Sequence, residues 1–170
     1  MHRTTSRSGH GRGFTLIEVM VAIMLIGTGI VALLGASMAG TRSTDAGKKM
    51  SQAVFLAQEI REWTLRLPFS DPDKSDSGKQ PGPDGSSPQT FVDDLDDLMD
   101  VTYSPPRDGQ FRAIADMTAW SETITLTWRD PHSLDTVVAD GTSDVMHVHL
   151  SVAHAGKHVL ETGWIVVRRN

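Results

Sequence analysis

The residues whose types and spacing could do chemistry fall in three places. Glu18 is a carboxylate at the mouth of an uncharged, largely apolar run that extends to Thr41. An acid at the centre of a membrane helix costs roughly 2.5–3.5 kcal/mol on insertion scales, and less near the interface, so such a residue usually has a partner and a job. Asp93, Asp94, Asp96, Asp97 and Asp100 place five acids within eight positions, a density of oxygen ligands that could hold calcium. His147 and His149 share one face of a strand-like run. His158 can lie across the following turn with Glu161 nearby, and two imidazoles with a carboxylate could form a zinc site.

Each of the last two groups also has a plain structural reading, and that reading is favoured. The acidic run makes a solvated turn or a short helix with Leu95, Leu98 and Met99 packing inward, and the histidines make the wet face of a sheet. Asp71-Pro72-Asp73-Lys74-Ser75 opens like a calcium loop. However, its sixth position is Asp76 where glycine is needed, and its twelfth is Gly82 where glutamate is needed. No metal and no cofactor is therefore expected. No Ser-His-Asp order, glycine-rich phosphate loop or recognisable acid pair is present either, so an enzyme is not expected.

Glu18 is positioned by the stretch from residue 13 to residue 41, whose uncharged run begins at Val19. The run from Val19 to Thr41, about 23 residues at 1.5 Å each, gives a helix near 35 Å, enough for a hydrocarbon core of roughly 30 Å. Arg3, Arg7 and Arg12 precede it in a leader without acids, and the positive-inside rule leaves that leader in the cytoplasm. At 170 residues there is room for one compact domain besides the helix. A mean hydropathy of -0.21 describes a polar body with one greasy segment. The formal charge is -5, and without residues 1–13 the chain has 13 basic and 21 acidic side chains, a net of -8. An acidic body argues against nucleic acid as a partner. With no cysteine there is no disulfide, thiolate metal site or lipid-modified cysteine.

The run Gly13-Phe14-Thr15-Leu16-Ile17-Glu18 resembles the type IV prepilin signal: a short basic leader ending in Gly, then Phe, then a Thr-Leu-Ile-Glu segment opening a long apolar helix. The resemblance covers about the first third of the chain. It implies a prepilin peptidase that cuts between Gly13 and Phe14 and N-methylates the new Phe14 amine. It also implies an assembly charge pair between Glu18 and the Phe14 amine of a neighbouring subunit. Two other readings of the N-terminus remain: a secretory signal cut after Ser37-Met38-Ala39, and a plain uncleaved anchor. Major pilins usually have a kinking proline near the position of Gly35, and this chain has none.

Helical character continues beyond the membrane. Ala53, Val54, Ala57, Ile60, Trp63 and Leu67 recur at three- and four-residue steps from Met50 onward, and Pro68 ends the pattern. One helix from Phe14 to Leu67 is expected, apolar all round and then one-faced. Gly27, Gly29, Gly35, Gly40 and Gly47 are close-packing points or places where it bends. Residues 69–90, dense in Asp, Ser, Gly and Pro, form a loop. Residues 122–128, 145–153 and 159–167 alternate as strands. The last two make an antiparallel hairpin turning at Ala155-Gly156-Lys157, with the first pairing alongside. Trp63, Trp120, Trp128 and Trp164 are assigned to the core rather than to a contact surface.

The expected fold class is α+β: a long N-terminal helix, transmembrane and then amphipathic, packed on a small C-terminal antiparallel sheet, as in pilins. The expected divisions are a leader at 1–13, a transmembrane and assembly helix at 14–41, its amphipathic continuation at 42–68, and an extracytoplasmic globular domain at 69–170. Ala53-x-x-Leu56-Ala57-Gln58-Glu59, and the Asp-Asp-Leu-Asp-Asp run before Pro105-Pro106, resemble PilV-like minor pilins. The resemblance implies a minor subunit that enters or primes a pilus fibre. Its partners are then prepilin peptidase, other pilin or pseudopilin subunits and an inner-membrane assembly platform. The implied location is the bacterial inner membrane as a single-pass precursor, then a pilus or pseudopilus in the periplasm or at the cell surface. A minor pseudopilin of type II secretion is the alternative within this class, and a membrane-anchored binding domain without a fibre role is the alternative outside it.

Overall fold

The computed structural model describes residues 13–71, 80–83 and 87–169; the leader arginines and the loop from Pro72 to Ser75 lie outside them. Helix α1 runs from Leu16 to Thr64, 49 residues without a break, through all five glycines. The chain divides into two compact units, Met1–Asp45 and Ala46–Asn170, and α1 contributes to both. In the first unit every described residue is exposed. Its most apolar 18-residue window has a mean hydropathy of 2.5, and the helix is long and apolar enough to cross a membrane.

In the second unit α1 turns one face inward. Ala53, Leu56, Ala57, Ile60, Trp63 and Thr64 are buried, at steps of three, one, three, three and one residues that keep them on one side of the cylinder. Val54 and Met50 are instead 41% and 45% exposed, and Leu56, not part of the expected face, is wholly buried. Spacing alone admits either flank of the stripe, and the position of the sheet selects one. The helix also stops before Leu67: the N–H groups of Arg66 and Leu67 both turn back to the carbonyl of Trp63. Pro68 is thus preceded by one tightened turn.

The sheet is antiparallel, in the order β1 (Val101–Tyr103), β2 (Trp120–Asp130), β4 (Val145–His154), β5 (Lys157–Val167). A short β3 (Ser133–Val137) pairs with the far end of β2. The pleat sends alternate residues to opposite faces. Trp120, Glu122, Ile124, Leu126 and Trp128 of β2 and Met146, Val148, Leu150 and Val152 of β4 accordingly point inward. They pack with the buried face of α1 into one core. Burying each Leu, Ile or Val fully is worth roughly 1.5–3 kcal/mol relative to leaving it exposed.

The β4–β5 hairpin turns through Ala155 and Gly156, whose φ values of 49° and 72° are both positive, as a type I′ turn requires. Trp63, Trp120 and Trp128 are buried. Trp164 lies partly buried on the core, and its indole N–H donates to the Thr64 hydroxyl at 3.1 Å across 100 residues of sequence. Two strands go beyond the expected three. β1 alternates buried, exposed, buried but is only three residues long, too short to stand out, and β3 is exposed at every position and shows no alternation to read.

Candidate processing and assembly site

Helix α1 starts where its first turn finds an acceptor. The Thr15 hydroxyl accepts the N–H of Glu18 at 3.3 Å, and the Thr15 carbonyl accepts the same N–H at 3.1 Å. Thr15 is therefore the N-cap and Glu18 the third residue of the helix, the Thr-x-x-Glu spacing of a capping box. That spacing was legible as a cap and Thr15 was overlooked. Glu18 also sits in the turn where the helix dipole favours a negative charge, which makes the carboxylate tolerable in its own subunit.

Nothing among the described residues explains the two residues before the cap. Phe14 is 79% exposed. A Cβ added at Gly13 would meet no atom within 4 Å, so the fold itself places no demand for glycine there. The same is true of Gly27, Gly29, Gly35, Gly40 and Gly47. Each costs about 1 kcal/mol relative to Ala in a helix interior, without an intramolecular gain to offset it. Three threonine hydroxyls of the first unit are closed off. Thr28 donates to the carbonyls of Met24 and Leu25, Thr41 to Ser37, and Thr44 to Gly40, all at 3.0–3.1 Å. These three threonine hydroxyls are thus satisfied within the helix, and the glycines face open space.

The other candidate residues have intramolecular roles. Asp94 is buried, and its Oδ1 accepts the N–H groups of Asp96 and Asp97, which caps the 3-10 turn Asp96–Leu98. Asp97 is also buried and accepts the N–H of Asp93 at 3.0 Å, while Asp96 accepts that of Gly82 at 3.2 Å. Burial, then the neighbouring Asp96, pushes the Asp94 carboxyl up to about 8. Leu95 and Leu98 pack inward as expected, but Asp94 and Asp97 are not solvated.

On the outer face of the sheet, His149 Nε2 lies 2.6 Å from Glu161 Oε1, and His158 Nε2 lies 3.8 Å from Oε2 of the same carboxylate. His147 instead neighbours Arg129, with Nδ1 at 3.5 Å. Partial burial, then the Arg129 charge, lowers its basicity. Among the described residues no group of three or more histidines and acids is placed to hold a metal ion.

The first stretch of the helix matches a family model. Residues 10–34 fit the model described as the prokaryotic N-terminal methylation motif, a span that includes Gly13, Phe14 and Glu18. The chain carries that motif. The match supports a type IV pilin-like protein, of the pilin or pseudopilin class. That class consists of structural subunits rather than enzymes. Its motif implies processing by prepilin peptidase, assembly with other pilins and an inner-membrane-anchored precursor. The α+β arrangement, a long helix laid on an antiparallel sheet, is pilin-like as well. No curated protein and no solved structure matches the chain.

Proposed function

We propose that the chain is a minor type IV pilin of the PilV-like kind, cut between Gly13 and Phe14, N-methylated at Phe14, and incorporated into or priming a pilus. The observation that carries this reading is a helix start that the described residues do not explain: an open Gly13, an exposed Phe14, and Glu18 held in the first turn. Hydrolysis leaves a carboxylate on Gly13 and a free amine on Phe14. The new amine is cationic at neutral pH, and methylation leaves it basic.

Assembly then moves residues 14–41 from lipid into a bundle of related helices. Lipid and bundle are both apolar, so the transfer gains little from burial, and packing and polar pairing supply the specificity. The Phe14 amine and Glu18 are four residues apart, about 6 Å along the axis. An adjacent helix displaced along that axis brings its amine to this carboxylate. In the working division of the chain, residues 1–13 are the leader, 14–41 the assembly helix, 42–68 its amphipathic continuation, and 69–170 the extracytoplasmic body.

The experiment is Gly13→Leu, read by mass spectrometry of protein extracted from membranes. Retention of the leader is the expected result. A variant that begins at Phe14 at wild-type abundance rejects the prepilin reading, and a wild type that keeps its leader leaves a membrane-anchored binding domain. A type II secretion pseudopilin would be processed in the same way, and crosslinking the assembled fibre to identify its neighbours separates that reading from a pilus.

A further inference from the structure

The segment 105–113 is held between helix and sheet by two carboxylates that the functional reading does not use. Glu59 of α1 accepts the N–H of Gly109 at 2.7 Å, and Glu122 of β2 accepts the N–H of Arg107 at 3.1 Å. Around these bonds, Arg66 donates to the Gly109 carbonyl, Phe111 stacks on Trp63 at 5.0 Å, and the Arg107 guanidinium lies 4.8 Å from the Phe111 ring and 5.3 Å from that of Tyr103.

Glu122 is the unusual member. It is 0% exposed on the inner face of the sheet, opposite Tyr103 of β1 and Val152 of β4. Its Oε2 has the Arg107 N–H, but its buried Oε1 has no hydrogen-bond partner among the described residues. The charged and titratable groups that bear on it are Glu59 from α1, Arg107 from the segment itself and Tyr103 from β1. Arg107 contributes a backbone N–H here, while its guanidinium is committed to the two rings and to the carbonyls of Gln89 and Phe111. No ion pair to Glu122 is present among the described residues.

We propose that Glu122 is a proton-controlled latch: as a neutral acid it holds residues 105–113 closed over Trp63 and Tyr103, and its ionisation releases them. A buried carboxylate with one bare oxygen and a second acid nearby is costly, whereas a neutral carboxyl is not. Burial, offset by the Arg107 N–H and reinforced by Glu59, pushes this group up to about 8. The segment also carries strain that opening would relieve. Phe111 has φ 65°, a conformation rarely adopted by a bulky side chain.

When the segment opens, Glu122 meets water and ionises as an ordinary carboxylic acid. The closed form then binds the extra proton, so closure weakens by about tenfold per pH unit between the two ionisation points and levels off above the upper one. Acid locks the segment, and alkali frees an aromatic surface formed by Trp63, Tyr103 and Phe111.

The test is hydrogen exchange of the amides of residues 105–113 in the full chain in detergent micelles, expressed as protection factors at pH 5, 6 and 7. Wild type is expected to lose about tenfold in protection per unit, and Glu122→Gln, which stays neutral, to show no slope. Wild-type protection that does not change with pH overturns the latch, as does an unchanged slope in Glu122→Gln. If that variant does not fold, a carbon-13 titration of the Glu122 carboxyl in wild type decides. A midpoint in the ordinary carboxylate range rejects the proposal, and one near 8 supports it.

Discussion

Residues 16–45 and 46–64 belong to one helix, and they treat their apolar side chains in opposite ways. In the first part every residue is exposed, including Leu16 at 81%, Val31 at 71% and Leu33 at 73%. In the second, Ala53, Leu56 and Ile60 are wholly buried. Exposure of so much contiguous apolar surface is not sustained in water, so the first part is built for lipid or for other helices. The second completes its core within the chain. The glycines nearly follow the same division: four of the five lie in the first part, and the fifth, Gly47, still precedes the first buried residue, Ala53. A long helix of this kind has two solvents, and a substitution has to be judged by the one it meets.

The largest contrast comes from placing the same residue change in both parts. Ile60→Asp puts an unpaired carboxylate in the core and is expected to abolish the cooperative thermal transition of the body. Ile30→Asp is expected to leave that transition at the wild-type temperature while lowering the membrane-inserted fraction, by roughly 2.5–3.5 kcal/mol of insertion energy at a helix centre. Circular dichroism of the full chain in micelles and carbonate extraction of membranes read the two effects. A normal transition in Ile60→Asp would break the comparison outright.

Glu18→Val tests the first part alone. Processing and body stability are expected to be unchanged, while subunit entry into sheared fibres falls. Stranding one partner of a buried pair costs about 3–5 kcal/mol, roughly a hundred-fold to a few thousand-fold in assembly. Equal amounts of variant and wild type in the fibre fraction would show that the charge pair does not select subunits.

Acidity is expected to act on the body. The folded state holds the Asp94 proton up to about 8, whereas the unfolded chain releases it in the ordinary carboxylate range. Between those limits the folded state binds more protons, so stability falls as pH rises. The thermal midpoint should be higher at pH 5 than at pH 8. Asp94→Asn, which keeps an oxygen for the two capped N–H groups, should narrow the gap without closing it, because Glu122 acts in the same direction.

The smallest effect is expected from Gly40→Ala. It should gain about 1 kcal/mol of helix propensity in the isolated chain, where its Cβ meets only open space. The same methyl should reduce fibre yield if a neighbouring helix packs at that point. An unchanged yield would assign the glycine to a different role.

Much of this division was legible in the residues. The motif from Gly13 to Glu18 and the alternation in β2, β4 and β5 are local patterns, and both lead to the observed arrangement. The buried flank of the helix was less so, since Val54 and Leu56 are both apolar and only the sheet decides between them. The acids were misread in part because composition counts charges and not the N–H groups that Asp94 and Asp97 cap. Glu122 was readable and passed over: it has the same parity as Ile124, Leu126 and Trp128, and so shares their inward face. β1 is too short for its alternation to be distinctive and β3 has none, and both pair with β2.

The hydrogen bond from Trp164 to Thr64 sets an order on the making of the protein. A ribosome delivers Thr64 a hundred residues before Trp164, and the inward face of the helix emerges well before β2, β4 and β5 exist to cover it. For that interval Leu56, Ile60 and Trp63 form a bare stripe on a helix whose preceding stretch is suited to membrane. The chain therefore has a window of vulnerability that closes only with its last strand, and during it the helix face is open to premature association or to a chaperone.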